Sequence, residues 1–483
     1  MLNLFKHFTP TSIQTLNAHS SKIQKVFEKE RNQEDIKQFF DSLAGCSNLL
    51  ELIAVIRVSL NHETLKEIQK SLSNLQKLTK LDFLLEEIIS NEKNSVIADL
   101  FLNLPNLTSF LIYYPKLQQN DLFLIGKALS KMTLLKSLRI QVRQQIKNEE
   151  IQDISQSLYQ LPALKEVWFD FILSYSQKDH LDNIFEALSK SSLLVNIRLY
   201  LKMNDQNFDH QIHQVNQINY SPTNGQKPHK KFDHLCRVEK LRIFSIFTNM
   251  NYQEICEDGF SNFIQNCSSL KYLKIDVSIE YEDIMILPNN LEPNTNLKEL
   301  SLDLCISKNI QQQSNINLKG LSQLSSLEIL SLEVEDNYSK DVQLNILDQH
   351  FSKYLKTFKI FYNKVNVAND DNSFSYLFNI SQSCNLQNFT ISFESCQIKS
   401  FSENLVKALI QIKTLNSLTI FYNSFDQNLS QADISLLVKS TQYFSNLHTF
   451  SLTTLCLFMG QKNNQRRFLL HQKKLVKFKL NIF

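Results

Sequence analysis

The sequence predicts an α/β solenoid, in which short parallel strands alternate with helices along an array of repeats. The pattern Leu-x-x-Leu-x-Leu recurs along the 483 residues at intervals of 27 to 32 residues. Its clearest copy carries Leu297, Leu300 and Leu302. The segments between copies have apolar residues at helical spacing. Because a single copy cannot bury its own leucines, the copies must stack on one another.

Residues 1–45 precede the array and are predicted to form a helical N-terminal cap, or the first helix of the array. Their apolar residues follow a helical spacing. These residues are Ile23, Val26, Phe27, Ile36, Phe39, Phe40 and Leu43.

Residues 46–483 form the predicted array of about 15 repeats. In a strand, successive side chains point to opposite faces, so positions four and six of the pattern are buried together. Positions three, five and seven share the other face. Because a helix is wider than the spacing between strands, we expect the array to curve into a horseshoe with a parallel concave β-sheet and convex helices. The first position of the repeats falls at Leu50, Leu78, Leu107, Leu135, Leu164, Leu194, Val238, Leu270, Leu297, Leu327, Leu355, Leu386, Leu415, Leu447 and Leu475.

One interval, between Leu194 and Val238, is longer than the others. Its middle, at about 204–234, is polar and contains Ser221-Pro222 and Gly225, which are typical of turns. The sequence therefore predicts a polar loop inserted into the array.

The repeated pattern resembles leucine-rich repeat proteins of the ribonuclease-inhibitor-like subtype, whose repeats combine a strand with a helix. The resemblance covers residues 46–483, and the Asn-, Gln- and Lys-rich composition is similar to that of irregular leucine-rich repeats from protists. The family has Asn or Cys at the ninth position, which here is matched by Cys305, Asn363 and Asn423. Other residues replace it elsewhere, at Arg143, Ile172, Lys202, Glu335 and Glu394. The resemblance implies the fold, with irregular loops after the strands.

The composition favours a protein without catalytic activity. The six glycines stand apart, so the clustered glycines that hold a nucleotide phosphate are missing. We found no Ser/His/Asp, Cys/His or paired-carboxylate arrangement and expect no catalytic residue, cofactor or small-molecule substrate. Eight cysteines without a Cys-x-x-Cys pair predict reduced thiols in a cytoplasmic protein. We found no secretory signal and no membrane-spanning segment.

Two reactive residue types are interpreted without a site. His210 and His213 could place two imidazoles on one face, but no second pair has a recognised metal-ligand spacing. We therefore predict a solvated loop and no metal site. Cys46, Cys267 and Cys384 each precede a strand, which favours small apolar residues at the helix-to-strand junction over nucleophiles.

The predicted concave face offers the candidate binding surface. Position five of successive repeats gives a basic stripe that includes the only tryptophan, and an acidic patch follows it. Arginine, tryptophan and tyrosine contribute strongly to protein interfaces. The candidate partner-binding residues are Arg139, Trp168, Arg198, Tyr200, Arg242, Phe244, Tyr272, Lys274, Glu299, Asp303 and Glu333.

The C-terminal segment is basic between Lys462 and Lys479. Lysines that protect a sheet edge are the favoured interpretation, and contact with an anionic surface is the alternative.

Together these features predict a non-enzymatic scaffold that binds a protein partner, of unknown identity, through the concave strand face. We expect no nucleic-acid partner, because the net charge is only +3. One alternative is a GTPase-activating or other regulatory leucine-rich repeat protein, in which Arg139 would insert beside a nucleotide phosphate. Another is a regulatory arm of a larger kinase or ubiquitin-ligase assembly.

Overall fold

The structure is a computed structural model of the chain. It describes residues 21–28, 32–85, 100–101, 103–114, 121–174, 181–203, 231–251, 255, 259–279, 291, 296–306, 314–317, 321, 324–336, 342–345, 353–364, 374, 377, 380, 384–396, 401–423, 431–454 and 477–482.

Sixteen strands of the described residues follow chain order in a parallel sheet. They are β1 (Lys22–Phe27), β2 (Glu51–Ile56), β3 (Lys80–Leu85), β4 (Ser109–Tyr114), β5 (Ser137–Gln145), β6 (Glu166–Leu173), β7 (Asn196–Met203), β8 (Ile243–Asn251), β9 (Tyr272–Ile279), β10 (Glu299–Ile306), β12 (Ile329–Asp336), β14 (Thr357–Asn363), β15 (Asn388–Glu394), β16 (Ser417–Asn423), β17 (Thr449–Thr454) and β18 (Lys477–Ile482). A separate parallel pair consists of β11 (Ser314–Asn317) and β13 (Val342–Asn345).

Helices connect many of these strands. The α-helices of the described residues are α1 (Gln33–Ala44), α2 (His62–Ser73), α3 (Asp121–Leu129), α4 (Asn148–Leu158), α5 (Leu181–Ser189), α6 (Phe260–Asn266), α7 (Phe401–Leu409) and α8 (Gln431–Ser440). In the same part of the chain, 3-10 helices span Lys231–Arg237 and Thr441–Tyr443. The fold class predicted by the leucine pattern, an α/β solenoid of stacked strand-and-helix repeats, is confirmed.

The chain forms two compact units. The first consists of Met1–Ile243 and Phe247–Asn249, and the second of Phe244–Ile246 and Met250–Phe483. In the first unit, phenylalanines from helices and strands pack edge to face, as Phe40 does on Phe83 with ring centroids 6.4 Å apart. In the second, Tyr362 and Phe393 of neighbouring strands stack with centroids 5.1 Å apart. Each unit therefore buries its apolar side chains between the sheet and the helical side of the repeats.

The alternation of buried side chains follows the predicted pattern. In β10, Leu300, Leu302 and Leu304 are fully buried, while Ser301 and Asp303 between them are half-buried on the other face. Polar residues begin the helices: the side chain of Asn61 accepts a hydrogen bond from the backbone N–H of Thr64 at 2.9 Å at the start of α2. Such a cap satisfies a backbone donor that the helix leaves unpaired.

A repeated pair of backbone hydrogen bonds fixes most of the described strands against the strand before them. The N–H groups of Lys136 and Ser137 both donate to the carbonyl oxygen of Thr108, at 2.8 and 3.0 Å. In the second unit, Lys298 and Glu299 donate in the same way to Lys271. Because these residues occupy positions two and three of their repeats, the pair of bonds identifies equivalent positions in each repeat.

The expected helix over the first described residues is wrong for Lys22–Phe27, which form β1. Ile23 pairs with Leu52 and Phe27 with Ile56 of β2. The spacing of Ile23 and Phe27 fits a helix, but a short apolar run does not distinguish a helix from a strand. The helical expectation is confirmed for α1, in which Ile36, Phe39, Phe40 and Leu43 are buried. The domain boundary at residue 45 stays a prediction.

The predicted insertion at about 204–234 lies mostly outside the described residues. Its last four residues, 231–234, are not loop but begin the 3-10 helix Lys231–Arg237. Phe232 and Leu235 are buried there, and the ring centroids of Phe232 and Phe185 are 4.9 Å apart. The two apolar side chains thus join this end of the segment to the core of the first unit.

The predicted alignment of the repeat at Val238 is wrong by three residues. Arg242 and Ile243 donate the characteristic pair of hydrogen bonds to Val195, so they occupy positions two and three. Leu241 is therefore the first leucine of this repeat. Because three is an odd number, the slip moves every side chain of the strand to the opposite face. Both alignments satisfy the apolar pattern, and the backbone bonds decide between them.

Candidate partner-binding face

The candidate site lies on the face of the sheet that the sequence predicts to be concave. We call it the open face, because helical side chains such as Phe40 and Phe263 pack on the opposite side. Positions three, five and seven of each repeat reach this face. Two groups of residues, most of them predicted, occur on it, one in each unit.

The first group, here called the arginine–aromatic cluster, lies in the first unit and consists of Arg139, Trp168, Arg198, Tyr200 and Phe247. The strand pairing aligns Arg139 with Trp168 and Trp168 with Arg198 on β5, β6 and β7. These three residues share position five, so neighbouring parallel strands bring them together side by side. The structure thus assembles this part of the predicted stripe.

The indole ring of Trp168 lies between two guanidinium groups. The central carbon of the Arg139 guanidinium is 3.3 Å from the centroid of the ring, and that of Arg198 is 5.6 Å away. Both distances fit cation–π contacts, which favour arginine over the face of a tryptophan. The Arg139 and Trp168 side chains are half-buried, while that of Arg198 is exposed.

Burial is the main electrostatic influence on Arg139. It lowers the pKa of the guanidinium, and the positive charge of Arg198 acts in the same direction, while Asp170 and Asp82 raise it. Asp170 also accepts a hydrogen bond from the side chain of Gln141. The cluster therefore holds two close cations that are only partly compensated by neighbouring carboxylates.

Two N–H groups in the cluster lack an acceptor. The Nε atom of Arg139 and the Nε1 atom of Trp168 are buried and have no hydrogen-bond partner within the described part of the protein. Both groups are donors only. The inner part of the cluster is thus rich in donors.

An exposed pair of aromatic rings adjoins Arg198. Tyr200 stacks on Phe247 with ring centroids 4.2 Å apart and an angle of 15° between the planes. Tyr200 retains 41% of its surface exposed. Arg198 and Tyr200 are two residues apart on β7, so their side chains leave the strand on the same face. The pair adds an apolar platform to the cationic part of the cluster.

Two predicted site residues are not on this face. Phe244 is fully buried, and its ring packs edge to face on that of Phe263 at 4.8 Å. Arg242 is exposed, but it precedes β8 at position two. The misplaced alignment of this repeat explains both errors. It also caused Phe247 to be missed, although the spacing of Leu241, Phe244 and Ile246 could have revealed it.

The second group, here called the acidic row, lies in the second unit and consists of Asp276, Asp303 and Glu333. Strand pairing aligns them on β9, β10 and β12. Burial raises the pKa of all three carboxyl groups, and that of Asp303 reaches about 7. The Asp276 and Asp303 carboxyl groups are hydrogen-bonded to each other. Three adjacent carboxyl groups therefore share a surface where full ionisation is disfavoured.

The remaining predicted residues flank the acidic row. Tyr272 and Glu299 are paired at position three, and Lys274 lies at position five of β9. All three are half-buried on the open face. The charge of Lys274 lowers the pKa of Asp303 and thus partly offsets the effect of burial. The structure places these residues together as predicted, but whether they bind a partner stays a prediction.

The predicted junction cysteines lie in surroundings that favour the protonated thiol. Cys46 and Cys267 are buried, and burial raises the pKa of both thiols. Burial also raises the pKa of Cys384 to about 12, and its thiol donates to the carbonyl oxygen of Ile380 at 3.1 Å. A thiol is a nucleophile only as the thiolate, so these positions favour packing over reactivity.

His210 and His213 lie outside the described residues. Within the described residues, no group of three or more His, Cys, Asp or Glu side chains could hold a metal ion. No helix in the same part of the chain is long and apolar enough to cross a membrane. Of the basic C-terminal segment, the structure describes only Lys477 and Lys479, which are exposed on β18.

Comparisons with known proteins give distant structural similarities. No family model matches the sequence, and no curated protein sequence matches it significantly. Among solved structures, the chain is similar to that of a TLR13–ssRNA13 complex, with 15% identity and a TM-score of 0.41 over 95% of this chain and 57% of that chain. It is also similar to the mouse RP105/MD-1 complex, with 11% identity and a TM-score of 0.37 over 89% of this chain and 71% of that one. This chain thus spans little more than half the length of the first of these structures.

Proposed function

We propose that the protein is a non-enzymatic scaffold that binds a protein partner through the arginine–aromatic cluster on the open face of its first unit. The observation that carries this proposal is the contact of Trp168 with both Arg139 and Arg198, beside the exposed stack of Tyr200 on Phe247. Arginine and large aromatic residues are the side chains that most often dominate the binding energy of protein interfaces.

Preorganisation supports the same proposal. The strands hold these side chains in fixed register, and each ring or guanidinium group contacts a neighbour within the cluster. A surface that is ordered before binding loses little conformational entropy when a partner docks. The cluster can therefore contribute binding energy without first being rearranged.

The residues around the cluster favour binding over catalysis. The carboxylate of Asp170 accepts a hydrogen bond from the side chain of Gln141. The Oδ2 atom of Asp82 lies 3.5 Å from the Nζ atom of Lys80. The cluster itself consists of cations and aromatic rings, which are suited to recognition rather than proton transfer. An arginine that activates a GTPase must reach a nucleotide phosphate, whereas Arg139 is half-buried against Trp168. That contact makes the GTPase-activating alternative the weaker of the two.

We also propose the ribonuclease-inhibitor-like repeat subtype and a cytoplasmic location. The alternation of strands with α-helices of up to three turns supports the subtype. No disulfide joins the six described cysteines to one another, which supports a reducing compartment.

Site-specific photo-cross-linking in the native cell tests the binding proposal. A photoreactive phenylalanine analogue at Tyr200 should give a covalent complex with a partner protein. The matched control carries the same analogue at Phe123, which is 45% exposed on α3. A product from Tyr200 that is absent from Phe123 supports the proposal. No product at Tyr200, or the same product from both positions, would contradict it.

A further inference from the structure

We propose that the arginine–aromatic cluster binds an extended acidic segment of a partner protein, in which a carboxylate side chain and an aromatic side chain are two residues apart. This inference rests on the proposed function and specifies the chemistry of the partner.

Charge complementarity is the first argument for a carboxylate. Arg139 and Arg198 approach the same indole ring from neighbouring strands, and their positive charges repel each other. A negative group placed over the Trp168 edge would interact favourably with both. Because Arg198 is exposed, such a group can reach its guanidinium without displacing other side chains.

The hydrogen-bonding capacity of the cluster is the second argument. The guanidinium group of Arg198 is exposed, and it donates hydrogen bonds and accepts none. The partner must therefore supply acceptors. A carboxylate presents two oxygens in a plane, which match the fork of an arginine side chain in a bidentate contact.

The neighbouring acids favour a carboxylate over a phosphate group. Asp170 and Asp82 lie close enough to Arg139 to raise its pKa, and Glu166 is exposed at position three of the same strand as Trp168. These carboxylates compensate part of the positive charge of the two arginines. A phosphate, with a charge of about −1.5 to −2 near neutral pH, would be repelled more strongly than a singly charged carboxylate.

The spacing along β7 defines the second contact. Arg198 and Tyr200 are two residues apart, so their side chains emerge on the same face at about 6.5 Å from each other. In an extended peptide, alternate side chains have the same spacing. If such a peptide places a carboxylate at Arg198, the side chain two residues further along the peptide lies at the platform of Tyr200 and Phe247. An aromatic ring there would extend the existing stack.

Fluorescence anisotropy with synthetic peptides tests this inference on the full chain. The probe is a labelled peptide of three Asp-Gly-Phe-Gly repeats, compared with the same peptide in which Asn replaces Asp or Ala replaces Phe. We expect the Asp peptide to bind, and each replacement to weaken binding by roughly fivefold or more, which is about 1 kcal/mol. Binding should also weaken as salt is added, because exposed charges are screened.

Two protein variants locate the binding. Arg198→Gln should weaken binding of the Asp peptide by a similar factor, while retaining the circular dichroism spectrum. Lys66→Gln removes an exposed cation on α2 and should leave binding unchanged.

A fourth peptide carries phosphoserine in place of Asp, and we expect it to bind less tightly than the Asp peptide.

Several outcomes would overturn the inference. They are no measurable binding of the Asp peptide, equal binding of the Asn peptide, unchanged binding by Arg198→Gln, or tighter binding of the phosphoserine peptide. If one of them occurs while the Tyr200 analogue still gives its specific cross-link, the proposed function stands and only the assignment of an acidic partner segment fails.

Discussion

The carboxyl groups of Asp276 and Asp303 are hydrogen-bonded to each other across β9 and β10. Lys274 faces them from position five of β9, and Glu333 and Glu335 face them from β12. Cys305 lies two residues beyond Asp303 on β10. Burial and the charge of Asp276 raise the pKa of Asp303 to about 7. Since two neighbouring carboxylates repel each other, the pair loses its second proton only as the pH approaches about 7.

The first prediction concerns the dependence of stability on pH. A folded-state pKa above the unfolded value means that the contribution of Asp303 is present at low pH and is lost as pH rises through about 7. We expect Asp303→Asn to reduce the loss of stability between pH 5 and pH 8 by about 2 kcal/mol, after allowance for solvent screening. Urea unfolding at several pH values measures this difference.

The control for this prediction is Glu299→Gln, on the same strand and the same face. It should retain the pH dependence of the unmodified protein. Equal pH dependence of Asp303→Asn and the unmodified protein would show that the hydrogen-bonded pair does not hold a proton in the folded state.

The second prediction distinguishes the two alignments of β8. Phe244 is fully buried, so Phe244→Ala should reduce the free energy of unfolding by about 3–5 kcal/mol. Phe247 is half-buried on the open face, and Phe247→Ala should cost only about 1 kcal/mol, mainly from the stack with Tyr200. Denaturant unfolding of the two variants compares these losses. A larger loss from Phe247→Ala would favour the alignment that begins at Val238.

The third prediction concerns the start of α2. Because the Asn61 side chain accepts from the Thr64 N–H, Asn61→Ala should reduce stability by about 1 kcal/mol. Lys66→Ala, at an exposed position of the same helix, serves as the control and should have little effect. Thermal unfolding followed by circular dichroism compares them, and equal midpoints for the two variants would argue against a stabilising cap.

The fourth prediction concerns the thiol of Cys384. With a pKa of about 12, it should be almost wholly protonated at pH 8 and react slowly with iodoacetamide. Peptide mass spectrometry should find Cys384 labelled much more slowly in the folded protein than in denaturant. Similar labelling rates in the two states would show that the thiol is not protected by the fold.

The buried half of each repeat could be predicted from sequence, because a period of two residues separates the two faces of a strand. Leu300 and Leu302 are buried as that rule requires. The rule failed at β8, where starting the pattern at Val238 or at Leu241 satisfies it equally well. The hydrogen bonds from Arg242 and Ile243 to Val195 resolve this ambiguity, and they depend on tertiary structure.

The candidate site was predicted where repeats are regular. Arg139, Trp168 and Arg198 occupy one column of the alignment, and the strands bring them into contact. The sequence could not reveal that the pKa of Asp303 is raised to about 7, because this depends on burial and on the position of the neighbouring carboxyl group. The equivalent positions of residues can be predicted by aligning the repeats, whereas the pKa of a carboxyl group depends on its three-dimensional surroundings.

The paired bonds to Val195 allow one repeat to vary in length without disturbing the next. Strand β7 ends at Met203, and Arg242 and Ile243 bond to Val195 in the same way as Lys298 and Glu299 bond to Lys271. As a result, Phe247 meets Tyr200 despite the many residues between them in sequence. The alignment of a strand on its predecessor is therefore set by the residues that begin the strand, and not by the number of residues that precede it.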